Sequence, residues 1–263
     1  MNEHPDLENP ATAHKLTEAY VRGFYDRGLR EMSDSYTDRR WFSSGESRFS
    51  YEQTKYALRK ALGPRRFGRA LEFGPGDGVW TKLIADKVAS LDLLDQSEEM
   101  LKRAHEALKC LGNIAYHRGD FSEFEIQPES YDLILSVRCL EYIPDKDAAV
   151  KKLHDVLAPH GTLVLVTKNP RYLRRRNRQL PLVHTAQIAW RDLAALFKRH
   201  GLVVDSIYPA VFQWKSRYAP FRWIFSILHK VAIATNGKVY FPWLSEMATE
   251  SYVYVVHKES TRR

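Results

Sequence analysis

Three glycines at alternate positions follow a short apolar run in Leu71-Glu72-Phe73-Gly74-Pro75-Gly76-Asp77-Gly78. Glycine tolerates positive φ in a tight turn, and without a Cβ it lets a ligand lie against the backbone. Such a turn, at the end of a buried strand and ahead of a helix-like segment over Val79 to Val88, could cradle a nucleotide or nucleoside. A second apolar run, Leu91-Asp92-Leu93-Leu94, ends in Asp95, nineteen residues after Gly76. In a βαβ unit an acid at that point stands at the carboxyl end of the second strand and can accept both hydroxyls of a ribose. The dinucleotide fingerprint G-x-G-x-x-G is not met, because Val79 occupies its third glycine position.

Further signals follow in order. Ser97 is placed to cap a helix whose first turn carries Glu98 and Glu99. Ile114 to Arg118 reads as a strand followed by Gly119-Asp120-Phe121. Tyr131 to Val137 reads as a buried strand running into a short helix through Cys139-Leu140-Glu141-Tyr142-Ile143. Leu153 to Leu157, Ala158-Pro159-His160-Gly161 and Thr162 to Val166 read as helix, turn and strand.

Glu-x-Gly-x-Gly-x-Gly, Asp95, Gly-Asp-Phe and Tyr131-Asp-Leu-Ile with Leu-Glu-Tyr-Ile together resemble the motifs of the class I S-adenosylmethionine (SAM) dependent methyltransferases, small-molecule branch. The resemblance covers roughly residues 69–210 and extends weakly to Tyr252 to Val256. It implies SAM as cofactor and a Rossmann-like α/β fold, a seven-stranded mainly parallel sheet with helices on both faces. It implies Glu72, Gly74, Pro75 and Gly76 at the methionine moiety, Asp95 and Gln96 at the ribose, Asp120 and Phe121 at the adenine, and Ser136 with Val137 near the amino group. Arg40, in an N-terminal lid segment, is a further candidate for the cofactor's carboxylate. Tyr142 stands where a histidine is common in the family, so general-base candidates are His184, Tyr142 and Glu141. No metal-ligand spacing stands out.

With 263 residues and 44% hydrophobic content, one large α/β domain with appended segments is expected. The division reads as a helical lid over 1–62, a SAM-binding core over 63–212, an insertion over 213–250 and a last strand with tail over 251–263. A net charge of +8 points toward an acidic partner or surface. Two cysteines and no signal-like or membrane-spanning stretch point to a cytoplasmic setting, with contact to the inner face of a membrane as an extension. Pro220 to Ala234 reads as an amphipathic helix with Arg222, Ser226, His229 and Lys230 on one stripe. That insertion could cap the pocket, form a homodimer face or lie on an anionic membrane.

The expected activity is methyl transfer to a small-molecule or lipid- or glycan-linked acceptor, with oxygen as the acceptor atom. The alternatives are N-methylation of an amine or phospholipid headgroup, a non-catalytic SAM-binding regulator, and RNA methylation. Nucleic acid is the disfavoured partner: the Asn/Asp-Pro-Pro-Tyr signature is missing after the fourth strand, and Asn169-Pro170-Arg171-Tyr172 follows the fifth.

Overall fold

The computed structural model describes Gly23, Asp26 and residues 35–172, 186–213, 219–235 and 246–259. Seven strands form one sheet: β1 (Phe67–Phe73), β2 (Val88–Asp95), β3 (Ile114–Arg118), β4 (Tyr131–Val137), β5 (Leu157–Lys168), β6 (Leu202–Phe212) and β7 (Thr249–Lys258). Their spatial order is β3-β2-β1-β4-β5-β7-β6, with β7 antiparallel to both neighbours and every other pairing parallel. The chain therefore winds outward from β1 through β2 and β3, then returns to place β4 on the other side of β1. That reversal opens a crevice at the carboxyl ends of β1 and β4, where ligands bind in open α/β sheets.

Burial on both faces explains why these strands read as continuous apolar runs. Leu133 and Leu135 point into one layer with Leu91, Leu93, Val164 and Val166, while Ile134 points into the other with Leu71, Phe73 and Leu163. The first layer is covered by α1 (Gly45–Leu62), α2 (Glu98–Leu108) and α5 (Ala219–Ala234), and the second by α3 (Lys146–Val156) and α4 (Trp190–Arg199). Helix starts follow side-chain capping: Ser44 accepts from Ser47 N, Ser97 from Met100 N and Asp145 from Ala148 N. The Ala158 to Gly161 turn lies inside β5 as an irregularity, since Tyr131 pairs with Leu157 but Leu133 pairs with Thr162.

Two local readings differ from the sequence. Val79 to Val88 holds only a single tight turn at Thr81–Leu83. Tertiary contacts outrank helix propensity there, because Trp80 packs against Trp41 and Tyr51 while Thr81 reaches back to Glu72. Helix α5 forms as expected, but His229 of its polar stripe is turned inward while Lys230 stays exposed. His229 is buried and its Nε2 donates to the Pro209 carbonyl at 2.9 Å, giving the edge strand β6 a partner. Trp223, Ile224, Ile227, Leu228 and Val231 face outward instead, with Trp223 69% exposed.

Burial holds the His229 imidazole neutral, with its pKa pushed down to about 4. An unfolded chain takes up a proton below pH 6.5 that the native site refuses until about pH 4, so stability is complete above 6.5 and declines through that window. The expected loss is about 3 kcal/mol between pH 7 and pH 4. His229→Gln keeps a donor for Pro209 without titrating, and should flatten that part of the curve in urea titrations. Equal pH slopes for both proteins would refute the assignment.

Candidate active site

The crevice between β1 and β4 is a cleft of about 1110 Å³ of empty space, counting its open mouth. Its floor is the chain leaving β1. Gly74 has φ 68° and its amide donates to the Leu94 carbonyl at 2.8 Å, extending the β1–β2 ladder. A Cβ on Gly74 would fall 2.4 Å from the Cys139 Cβ, so only glycine lets the exits of β1 and β4 meet. Gly76, with φ 60°, has open space where a Cβ would stand.

Asp95 closes β2 at the cleft wall. Its Oδ1 accepts from Ser97 N at 2.9 Å and its Oδ2 from Gly76 N at 3.3 Å. Loss of solvent pushes its pKa up to about 6 against these donors, with nearby Asp26 adding to the rise. Gln96, Ser97 and Met100 continue that wall. Across from it stand Gly119, Asp120 and Phe121. Asp120 Oδ1 accepts from Ser122 N at 2.7 Å, and the Phe121 ring stacks on Phe73 at 4.3 Å.

The lid segment closes the open side. Thr37 donates to Asp77 through both its amide and its hydroxyl, each at 2.8 Å, which pins the lid to the glycine loop. This fixes Tyr36, Arg40 and Trp41 over the cleft, with Trp41 edge-on to Trp80 at 5.2 Å. At the β4–β5 end the lining is Val137, Arg138, Cys139, Tyr142, Ile143 and Lys168. Arg138 adopts φ 66°, a left-handed conformation that costs a non-glycine residue roughly 1–2 kcal/mol. Its guanidinium is held by Glu250 at 2.9 Å.

Of the residues expected from sequence, Gly74, Pro75, Gly76, Asp95, Gln96, Asp120, Phe121, Val137, Tyr142 and Arg40 line this cleft. Three others stand behind its wall. Glu72 is buried and its Oε2 accepts from Thr81 at 2.7 Å; desolvation first, and Asp95 beside it, push its pKa up to about 7. Ser136 is buried with its hydroxyl on the Phe73 carbonyl at 3.0 Å. Glu141 is fully buried, accepting from Lys168 N at 3.0 Å and pairing with Lys168 Nζ at 3.3 Å, so it supports Lys168 and does not face an acceptor. His184 lies outside the described residues. Sequence reasoning missed Tyr36, Asp77, Arg138 and Lys168. Asp77 and Arg138 stood inside recognised motifs but at positions without a motif role, and Tyr36 and Lys168 carried no local signal. Asn169 is structural: its Nδ2 donates to the Glu246 and Thr249 carbonyls at the entry to β7.

A family model described as a methyltransferase domain matches residues 70–161, the span from the β1 core through the β5 turn. That match agrees with the resemblance to class I SAM-dependent methyltransferases carried by the sequence motifs. A demethylmenaquinone methyltransferase of Staphylococcus aureus (strain MRSA252) is 31% identical over 128 residues, which is 46% of this chain and 53% of that protein. The chain thus matches about half the length of the curated relatives. Among solved structures, the N-methyltransferase NodS from Bradyrhizobium japonicum WM9 with S-adenosylhomocysteine superposes with a TM-score of 0.62 at 16% identity, covering 89% of this chain and 98% of that one. Phosphoethanolamine N-methyltransferase 2 of Haemonchus contortus, with SAM, gives a TM-score of 0.60 at 16% identity, covering 91% and 60%. At such identities the structures report the shared fold.

SAM is the expected cofactor, and the cleft gathers the groups the sequence motifs offer to it: a carboxylate at the end of β2, Asp120 with Phe121, and open space above Gly76. An Asp95 that holds the ribose must be ionised to accept from both hydroxyls, so on that role SAM affinity should fall as pH drops below its raised pKa of about 6. Between pH 7 and pH 5 the expected weakening is about tenfold. Asp95→Asn should bind about 1–3 kcal/mol more weakly at pH 7 and lose the pH dependence, by calorimetry. A flat wild-type profile would count against the ribose role.

Proposed function

We propose that this protein transfers the methyl group of SAM to a small-molecule or lipid-linked acceptor, with oxygen as the acceptor atom. The observation that carries the reading is the meeting of Gly74, Gly76, Asp95, Asp120 and Phe121 in one cleft at the switch point of the sheet. Bound SAM supplies an electrophilic methyl on a sulfonium. The protein's part is alignment and exclusion of water, and orientation alone can be worth effective molarities of about 10⁵ M or more. Backbone from Gly74 to Gly76 and at Val137 would hold the methionine end, and Asp95 with Gln96 the ribose. Asp120 would take the adenine amino group while Phe121, braced on Phe73, covers the ring.

The acceptor would enter against Tyr36, Tyr142, Ile143 and Lys168. Tyr142 is the sequence-derived base candidate with a place in the wall. Burial raises the pKa of Tyr36, which keeps that phenol protonated and suits it to donate to an acceptor oxygen. Transfer to an amine is the nearest alternative, since a neutral amine needs less help from a base. The relatives named as demethylmenaquinone methyltransferases support a small-molecule acceptor.

Incubation with methyl-labelled SAM and fractionated cell extract tests the activity. Label is expected in a small-metabolite or lipid fraction and to be base-stable or base-labile according to the oxygen function. Label in RNA would overturn the acceptor class, and tight SAM binding with no label in any fraction would point to a regulatory protein.

The outward apolar face of α5 favours a lipid-linked acceptor drawn from an anionic surface. Trp223, Ile224, Ile227, Leu228 and Val231 make one exposed patch beside Lys230, and α5 carries no acidic residue. No described helix is long and apolar enough to cross a membrane, so the contact would be interfacial. Phosphatidylglycerol vesicles should sediment with the protein while phosphatidylcholine vesicles do not, and Trp223→Asp should weaken that binding about tenfold, or ~1.4 kcal/mol. No preference for the anionic vesicles would remove this reading, and a dimer abolished by the same substitution would assign the face to self-association.

A further inference from the structure

At the acceptor end the cleft gathers more positive charge than its own carboxylates absorb. Arg138 leaves β4 in a left-handed conformation with its amide on the Val166 carbonyl at 2.7 Å. Its Nη2 lies 2.9 Å from Glu250 Oε1 on β7, two strands away from β4 and on the side opposite Asp95. Glu250 is steadied in turn by Gln213, whose Nε2 donates to Oε2 at 3.0 Å. Backbone strain stored at a cleft residue marks a conformation that the fold maintains for a reason beyond local preference.

Arg40 comes down from the lid on the other side, its guanidinium over the Trp41 ring at 4.3 Å. Among the described residues no carboxylate lies within ion-pair distance of it. Burial, and then the neighbouring Arg138, lower its pKa, while Glu250, Tyr36 and Tyr142 favour its charge. One carboxylate therefore serves two guanidiniums across the same space. Lys168 adds no free charge, being paired with Glu141 at 3.3 Å.

We propose that Arg40 and Arg138 form a seat for an anionic group on the methyl acceptor, a carboxylate or a phosphate monoester. The proposal rests on the methyltransferase reading for the identity of the cleft, and it goes beyond it by assigning the acceptor's charge. A guanidinium offers five N–H donors in a planar fork, so Arg138 keeps donors for a ligand after meeting Glu250. Glu250 acts as a positioning residue, orienting Arg138 without reaching the acceptor. An anion between the two arginines would relieve their repulsion and tie the lid, already fastened through Thr37 and Asp77, to the strand side of the cleft. The sequence offers Arg40 as a candidate for the cofactor's carboxylate; this proposal gives it to the acceptor instead.

The test uses the full chain saturated with S-adenosylhomocysteine, which fills the cofactor end and supplies its own carboxylate. Benzoate, phenyl phosphate and neutral benzyl alcohol are then titrated by calorimetry. At least one anion is expected to bind tenfold or more tightly than benzyl alcohol, and the tighter of the two identifies the group. Arg138→Gln and Arg40→Gln should each weaken the anion fivefold or more, with S-adenosylhomocysteine affinity changed less than twofold. Equal binding of the neutral and anionic probes to the wild-type protein would overturn the proposal, as would competition between S-adenosylhomocysteine and the anions. If S-adenosylhomocysteine itself fails to bind, the methyltransferase reading falls and takes this proposal with it. Its binding without anion preference would remove this proposal alone.

Discussion

The close approach of two strand exits governs the whole cleft. Gly74 after β1 and Cys139 after β4 come together so tightly that a single added carbon would sit 2.4 Å from the cysteine Cβ. That contact sets how far β1 and β4 can part at the switch point, and thereby the width of the crevice. It also turns the chain so that Gly76 opens toward the cleft and its amide reaches Asp95. Arg138, directly before Cys139, inherits its left-handed backbone from the same crossing. A side chain at Gly74 would thus disturb the cofactor end and the acceptor end together.

Charge placement within one strand shows how burial and partners decide function. Asp92 and Asp95 are three residues apart on β2. Burial pushes Asp92 up, but His117, Arg69 and Tyr131 all bond it and hold its pKa below the ordinary value. It is a satisfied structural acid. Asp95 has only backbone donors against its desolvation and stays raised to about 6. An acid short of strong partners at a cleft wall is poised for hydroxyl donors from a ligand. Glu72, with one oxygen on Thr81 and the other without a hydrogen-bond partner in the described structure, carries the same tension deeper in the floor.

The lid gives the cleft its fourth side through few contacts. Two hydrogen bonds from Thr37 to Asp77 and the packing of Trp41 and Tyr51 on Trp80 attach it to the glycine loop. Trp80 is buried under those rings, which is why the residues after Gly78 tighten into one turn and do not extend into a helix. Glycine loop and lid are therefore one mechanical unit, and the proposed acceptor end lies where that unit faces β4, β5 and β7.

What the chain's letters determined by themselves was the framework and the cofactor wall. Strand runs buried on both faces carry their own signal in apolar continuity, caps such as Ser97 and Asp145 announce helix starts, and Gly74, Gly76, Asp95, Asp120 and Phe121 have spacings dictated by the βαβ geometry. These features are local, so sequence distance encodes them. The proposed acceptor end is not local. Tyr36, Arg40, Arg138, Lys168 and Glu250 come from the lid, β4, β5 and β7, and only the strand order β4-β5-β7 and the bond from Thr37 to Asp77 bring them together. Orientation was decided there as well: Glu141 turned inward to Lys168, and His229 of α5 turned toward Pro209, because each buried donor or acceptor had to find a partner that lies away along the chain.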